Sequence, residues 1–258
     1  MSSFDHRPRK RFGQNFLTDR NIIDKIVRAI APKPTDALVE IGPGQGAITW
    51  PLLKAAGRLT AIELDRDLIE PLRLKAQDQG ELELIEADCL KVDFAELAAR
   101  RGQPLRVVGN LPYYISTPII FHLLEYAGDI REMFFMLQLE VVERMAAAPG
   151  GKEYGRLSVM VQDRCEVQML FQVPPGAFFP APKVTSAIVR LRPLPVSADL
   201  NAKRFADVVR HAFGQRRKTL ANALKPLLSA ADIDRAGVNP GARGETLSVA
   251  QFRALARL

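Results

Sequence analysis

The sequence predicts an α/β fold, a Rossmann-like parallel sheet followed by a small all-helical C-terminal domain, and three observations carry that prediction. Short apolar runs alternate with segments of helical spacing as far as residue 192, the pattern of strands joined by crossover helices. The first clear strand, residues 37–41, runs directly into Gly42-Pro-Gly-Gln-Gly46 and a helix, the kind of turn at which an open sheet binds a nucleoside. After Arg192-Pro-Leu-Pro195 no strand pattern survives. Residues 1–192 are therefore expected to form the sheet domain, with a basic N-terminal arm, and residues 193–258 the helical one.

Bulk properties narrow the class. At 258 residues the chain can bury a real core, and 47% hydrophobic with 25% charged residues are globular values. A formal charge of +7 points toward a polyanionic partner, although where the charge sits matters more than its sum. Cys89 and Cys165 are far apart and match no ligand spacing, so neither a disulfide framework nor a metal site is expected, and a reducing cytoplasm is the expected location. The polar, basic start carries no secretory signal, and no apolar run approaches the roughly 20 residues of a membrane span, so no membrane partner is expected.

Taken in order, Arg7, Arg9, Lys10 and Arg11 make a basic arm, readable either as a solvated tail or as a phosphate contact. Gln14-Asn15-Phe16-Leu17 sets amides between rings just before a helix, a position from which it could cover a ligand. Asp19 is a plausible cap for a helix carrying Ile22, Ile23, Ile26, Val27 and Ile30 at helical spacing. Residues 47–56 read as a helix, 58–62 as a strand ending in Glu63-Leu64-Asp65, 66–79 as a helix, and 82–85 as a strand ending near Asp88 and Cys89. A short helix at 94–100 precedes the strand at 105–108, which delivers Gly109-Asn110-Leu111-Pro112-Tyr113-Tyr114 to the same edge. A helix at 116–126 and a strand at 131–138 follow; 157–161 and 167–171 continue the hydrophobic pattern, and 185–191 is a strand by its Val/Ile alternation. Helices are expected at 203–213, 218–228 and 248–258.

The chemistry gathers at the strand tips. Glycines at 42 and 44 let backbone amides approach a ligand, and an acid at the second tip, Glu63, suits ribose hydroxyls. The spacing is tighter than the dinucleotide fingerprint and Glu40 lies just upstream; a carboxylate there repels phosphate but welcomes an amino group or sulfonium, favouring S-adenosylmethionine over NAD. Asp88 either accepts from a cofactor's adenine amine or caps the next turn, and Cys89 stands beside it. Pro112 biases Leu111 away from helix, so carbonyls there join the Asn110 amide as acceptors beside the Tyr113 and Tyr114 rings. Such a cluster fits a planar, amine-bearing base. Phe178, stiffened by Pro180 and Pro182, reads either as core or as a second stacking surface, and Arg216, Arg217 and Lys218 concentrate charge where a phosphate could sit.

Gln14-Asn15-Phe16-Leu17, Glu40-Ile-Gly-Pro-Gly-Gln-Gly46, Glu63-Leu-Asp65, Ala87-Asp88, Asn110-Leu-Pro-Tyr-Tyr114, Phe178-Phe-Pro-Ala-Pro-Lys-Val184 and Phe213-Gly-Gln-Arg-Arg-Lys-Thr-Leu220 occur in that order. Together, over nearly the whole chain, they resemble the KsgA-type small-subunit (16S) ribosomal RNA adenine dimethyltransferases. The resemblance implies a Rossmann-like S-adenosylmethionine-dependent methyltransferase sheet and dimethylation of two neighbouring adenosines in the terminal hairpin of small-subunit rRNA during ribosome biogenesis. The implied partner is an immature 30S-type subunit, met by a monomer. By the same resemblance Asn15 and Leu17 would cover the cofactor, Gly42 and Gly44 flank its methionine part, Glu63 hold ribose and Asp88 the adenine amine, with Asn110 touching both cofactor and target. Asn110, Leu111, Pro112, Tyr113 and Phe178 form the expected catalytic set, and Arg9, Lys10, Arg11, Lys183, Arg216, Arg217 and Lys218 the RNA-binding one. Leu111 stands where DNA adenine methylases usually carry proline, and the tail lacks the features of the large-subunit resistance dimethylases; both favour the small-subunit branch. Two alternatives stand beside it, a non-catalytic rRNA-binding assembly factor and an adenine methyltransferase of large-subunit rRNA.

Overall fold

Local sequence sets the limits of most elements in the computed structural model, which describes residues 15–195, 199–215 and 217–258. The expectations for Arg9, Lys10, Arg11 and Arg216 lie outside the described residues. Strand β1 (Phe16–Leu17) leads into α1 (Arg20–Ile30), which begins where the Asp19 carboxylate accepts the amides of Asn21 and Ile22 at 2.8 and 3.1 Å. Then come β2 (Ala37–Ile41), α2 (Thr49–Ala56), β3 (Arg58–Glu63), α3 (Arg66–Ala76), β4 (Glu81–Glu86), α4 (Phe94–Arg101), β5 (Leu105–Asn110), α5 (Ser116–Glu125) and β6 (Ile130–Gln138). They are followed by α6 (Leu139–Ala146), α7 (Arg156–Gln162), β7 (Cys165–Val173), β8 (Phe178–Phe179) and β9 (Ser186–Pro193), and the chain ends with α8 (Ala202–Gly214), α9 (Leu220–Ala223), α10 (Ala230–Arg235) and α11 (Val249–Ala256).

The central sheet has seven strands in the order β4-β3-β2-β5-β6-β9-β7. Pairings β3/β4, β2/β3, β2/β5 and β5/β6 are parallel, and β6/β9 is antiparallel. Crossovers leave β2 toward β3 on one side while β5 joins on the other, so the order reverses between β2 and β5. A crevice at the carboxyl ends of those two strands is the ligand position such a sheet provides. Glycine is required at that point: a Cβ on Gly109 would lie 2.6 Å from the Ile41 carbonyl oxygen.

Packing of the described residues divides them into a unit drawn from 1–142 with 168–193 and a unit drawn from 143–167 with 194–258. In the first, Leu38, Leu52, Leu59, Val108 and Phe134 pack as core. In the second, Tyr154 and Val159 pack with Phe205, Val208, Phe252 and Leu255. Residues 143–167 thus belong with the C-terminal helices rather than with the sheet, where the sequence placed them. Their apolar side chains are the ones that complete the helical core, and the Arg253 guanidinium donates to the Asp163 carboxylate at 2.6 Å.

Three local expectations change. Residues 157–161, which continue the hydrophobic pattern in sequence, are helical and lie in α7. The helix expected over 218–228 shrinks to α9, because Pro226 lacks an amide and disfavours a helical Lys225. Residues 178–179, in the segment stiffened by Pro180 and Pro182 and not among the expected strands, pair as β8 with β1, Phe16 opposite Phe179 and Leu17 opposite Phe178.

Candidate active site

The tips of β2, β3, β4 and β5 open into one cavity, lined by residues from all four. At the tip of β2 the backbone takes positive φ at Gly42 (67°) and Gly44 (57°), and the Gly42 amide donates to the Ile62 carbonyl at 2.9 Å. A side chain at either glycine would be strained. From the end of β3 the Glu63 carboxylate reaches back, accepting the Gly44 amide at 3.2 Å through Oε2 and the Asp65 amide at 2.8 Å through Oε1. Burial pushes the Glu63 carboxyl above its ordinary pKa, and those amides hold the rise back.

Glu40 is the most perturbed acid on the cavity. Burial, with Glu63 nearby, pushes its carboxyl up to about 8, and Oε2 has no hydrogen-bond partner among the described residues. A buried carboxyl group with one oxygen unpartnered beside an open cavity suits a cationic ligand group. The donor set therefore fits S-adenosylmethionine: a carboxylate without phosphate-seeking cations at the glycine turn, and acids at the next two tips. Asp88 lines the cavity and also accepts the Leu90 amide at 3.1 Å, so the two readings of this residue are compatible in geometry. Cys89 lines it too, its thiol raised to about 12 by burial.

Across the cavity stand Asn110, Leu111, Pro112 and Tyr113. The Asn110 Nδ2 donates to the Asn15 carbonyl at 3.1 Å, which leaves Oδ1 as the amide's acceptor. The Tyr113 hydroxyl is 2.6 Å from Ser186 Oγ, fixing the ring from its far end. Asn15 and Leu17 line the same cavity from β1 and the residue before it.

Phe178 does not line it. Its ring is 4% exposed and belongs to the core with Leu17, Phe134 and Ile188, while Phe179 is 68% exposed. The correction follows from register: opposite partners share a face, so pairing with buried Leu17 turns Phe178 inward and its neighbour outward. Leu64 lines the cavity without having been assigned to the site from sequence, whereas the Phe16 and Tyr114 rings line it where the sequence set them, beside a ligand. The available signal for Leu64 was an apolar residue set between two acids at a strand tip. Lys183, Arg217 and Lys218 are exposed, the first in the sheet unit and the other two in the helical one. Among the described residues no helix is long and apolar enough to cross a membrane.

This sheet order, with its cavity at the strand tips, is that of a Rossmann-like S-adenosylmethionine-dependent methyltransferase. A dimethyladenosine transferase from Plasmodium falciparum superimposes with a TM-score of 0.81 at 27% identity, over 93% of this chain and 95% of that one. The 23S rRNA methyltransferase ErmE does so with a TM-score of 0.72 at 30% identity, over 95% of this chain and 99% of its own. The chain belongs to the ribosomal RNA adenine dimethylase family, whose sequence profile matches residues 5–258. A protein of Xanthomonas campestris pv. campestris called ribosomal RNA small subunit methyltransferase A is 58% identical over all of this chain and 98% of its own length. One of the same name from Xylella fastidiosa is 57% identical over 98% of this chain and 96% of its own.

Proposed function

We propose that the chain dimethylates the exocyclic amines of two adjacent adenosines in the terminal hairpin of small-subunit rRNA, acting as a monomer on an immature 30S-type subunit. The observation that carries this reading is the convergence on one cavity of the acidic tips at Glu40 and Glu63 with the Asn110 acceptor. The small subunit is favoured over the large by relatives named for it at 58% identity, against 30% for the 23S enzyme.

In this reading Glu40, Gly42, Gly44, Glu63 and Asp88 hold the cofactor, with Asn15, Leu17 and Cys89 closing around it. Bound S-adenosylmethionine supplies an electrophilic methyl group. An adenine amine is a poor nucleophile because its lone pair is delocalised into the ring. Asn110 Oδ1 and the Leu111 carbonyl accept its two hydrogens out of the ring plane and so localise the lone pair, while Tyr113, braced by Ser186, holds the face of the base. The amine turns acidic once it carries positive charge, so its proton leaves to water without a dedicated base. One hydrogen remains after the first transfer, and the same acceptors can hold it for the second.

Asn110→Ala should lower single-turnover methylation of unmethylated small subunits by roughly 10²–10³-fold, with subunit binding changed far less. Near-normal turnover by that variant would overturn the assignment. Primer-extension mapping of the modified bases distinguishes small-subunit from large-subunit action.

A further inference from the structure

Everting one adenosine strips a stacking partner from the base beside it, so an enzyme of the proposed kind gains by offering that base another surface. Phe179 meets the requirement. Its ring, 68% exposed, is the most exposed of the large hydrophobic side chains among the described residues. It does not support the core, where the ring used is Phe178. Its position is nevertheless set, because β8 pairs with β1 in a register that puts Phe179 directly opposite Phe16. Opposite partners project from the same face with Cβ atoms about 4.5–5.5 Å apart. Phe16 lines the cavity, its ring so close to the glycine turn that a Cβ on Gly44 would lie 3.2 Å from it. Phe179 therefore stands beside the cavity rim, on the face that borders it and open to solvent. Four residues on, Lys183 is also exposed. An exposed ring followed by a cation four residues on in the chain offers a nucleotide's base and phosphate one partner each.

We propose that Phe179 is a stacking platform for the unpaired base adjacent to the target adenosine, with Lys183 serving that nucleotide's phosphate. The proposal rests on the rRNA adenine methylation reading and adds a substrate-positioning residue to it. The test is labelled-methyl transfer by the full chain to unmethylated small subunits, comparing Phe179→Ala, Phe179→Trp and Phe179→Leu with the unsubstituted protein. Loss of one stacked base predicts a KM for subunits raised roughly tenfold or more in Phe179→Ala, with S-adenosylmethionine affinity and thermal midpoint unchanged. Phe179→Trp should restore KM, and Phe179→Leu should not. An unchanged KM in Phe179→Ala, or full rescue by leucine, overturns the platform. If the unsubstituted chain transfers no methyl, the enzyme reading fails first and the platform with it; active wild type with unaffected variants sinks the platform alone.

Discussion

Glu40 carries a proton at neutral pH in the free protein, since burial lifts its carboxyl from 4.5 to about 8. The unfolded chain has released that proton, so this residue's contribution to stability is best at acid pH and declines as pH rises from the ordinary carboxylate range to about 8. A cationic ligand favours the carboxylate and expels the proton. S-adenosylmethionine affinity should accordingly climb by up to about tenfold per pH unit below pH 8 and level off above it, with Glu40→Gln removing the slope; calorimetric titration in buffers of different ionisation enthalpy reads the proton directly. Phe178 and Phe179 give opposite outcomes on the same measurement. Phe178→Ala opens a hole beside Leu17 and Phe134 and should cost about 3–5 kcal/mol of unfolding free energy, whereas Phe179→Ala should change it by less than about 0.5 kcal/mol. The acidic and amide residues of the site were legible in sequence because each sits at the end of a recognisable strand. Which of two adjacent phenylalanines faces the core was not, because β8 is two residues long and its facing comes from a partner 161 residues away in the chain.

At the scale of elements, β2, β5, β6 and β9 are tied at their other end by a charge network. Arg106 on β5 is 5% exposed and donates to Glu132 of β6 at 2.8 Å and to Asp36, just before β2, at 2.6 Å. Arg190 of β9 donates to the second Glu132 oxygen at 2.8 Å, and Arg131 to the second Asp36 oxygen at 2.8 Å. Burial alone would raise both carboxyls; hydrogen bonds and the guanidinium charges overcome it and leave each below its ordinary pKa. Their stabilisation is thus present above the ordinary carboxylate range and lost as pH falls through the lowered folded values. Arg106→Met should cost about 3 kcal/mol at pH 7 by taking the shared guanidinium from two buried carboxylates, which keep Arg190 and Arg131, and the deficit should narrow in acid as they protonate; denaturant melts at pH 7 and pH 4 measure it. Strand boundaries agreed closely with the sequence pattern, since β2, β3, β5 and β6 are largely apolar runs bounded by turn residues and β4 alternates Glu with Leu. The short helices α9 and α10 were harder, because Pro226 cuts one and the Ser229–Asp232 capping box starts another within a few residues.

For the molecule as a whole, the helical unit includes residues from both sides of β7. A chain ending at Pro193 would leave Tyr154 and Val159 without Phe205, Val208 and Phe252, so it should bind apolar dyes and aggregate where the full chain does not. In the proposed function, RNA affinity should fall steeply with salt. Replacing Arg217 and Lys218 by alanine should lower the slope of log affinity against log salt by about one for each phosphate that is no longer neutralised; filter binding across a salt series tests it, and an unchanged slope would remove those two residues from the RNA-binding set.

By itself the sequence determined the alternating strands and helices, the glycine turn after β2, and the acids and amide that end the strands, because each depends on interactions within a few residues. Tertiary structure alone decided the order reversal between β2 and β5, the Asn110 amide held by the Asn15 carbonyl, the inward turn of Phe178 and the membership of residues 143–167 in the helical unit. Those depend on which distant segments pair and in what register, and local periodicity carries no record of that choice.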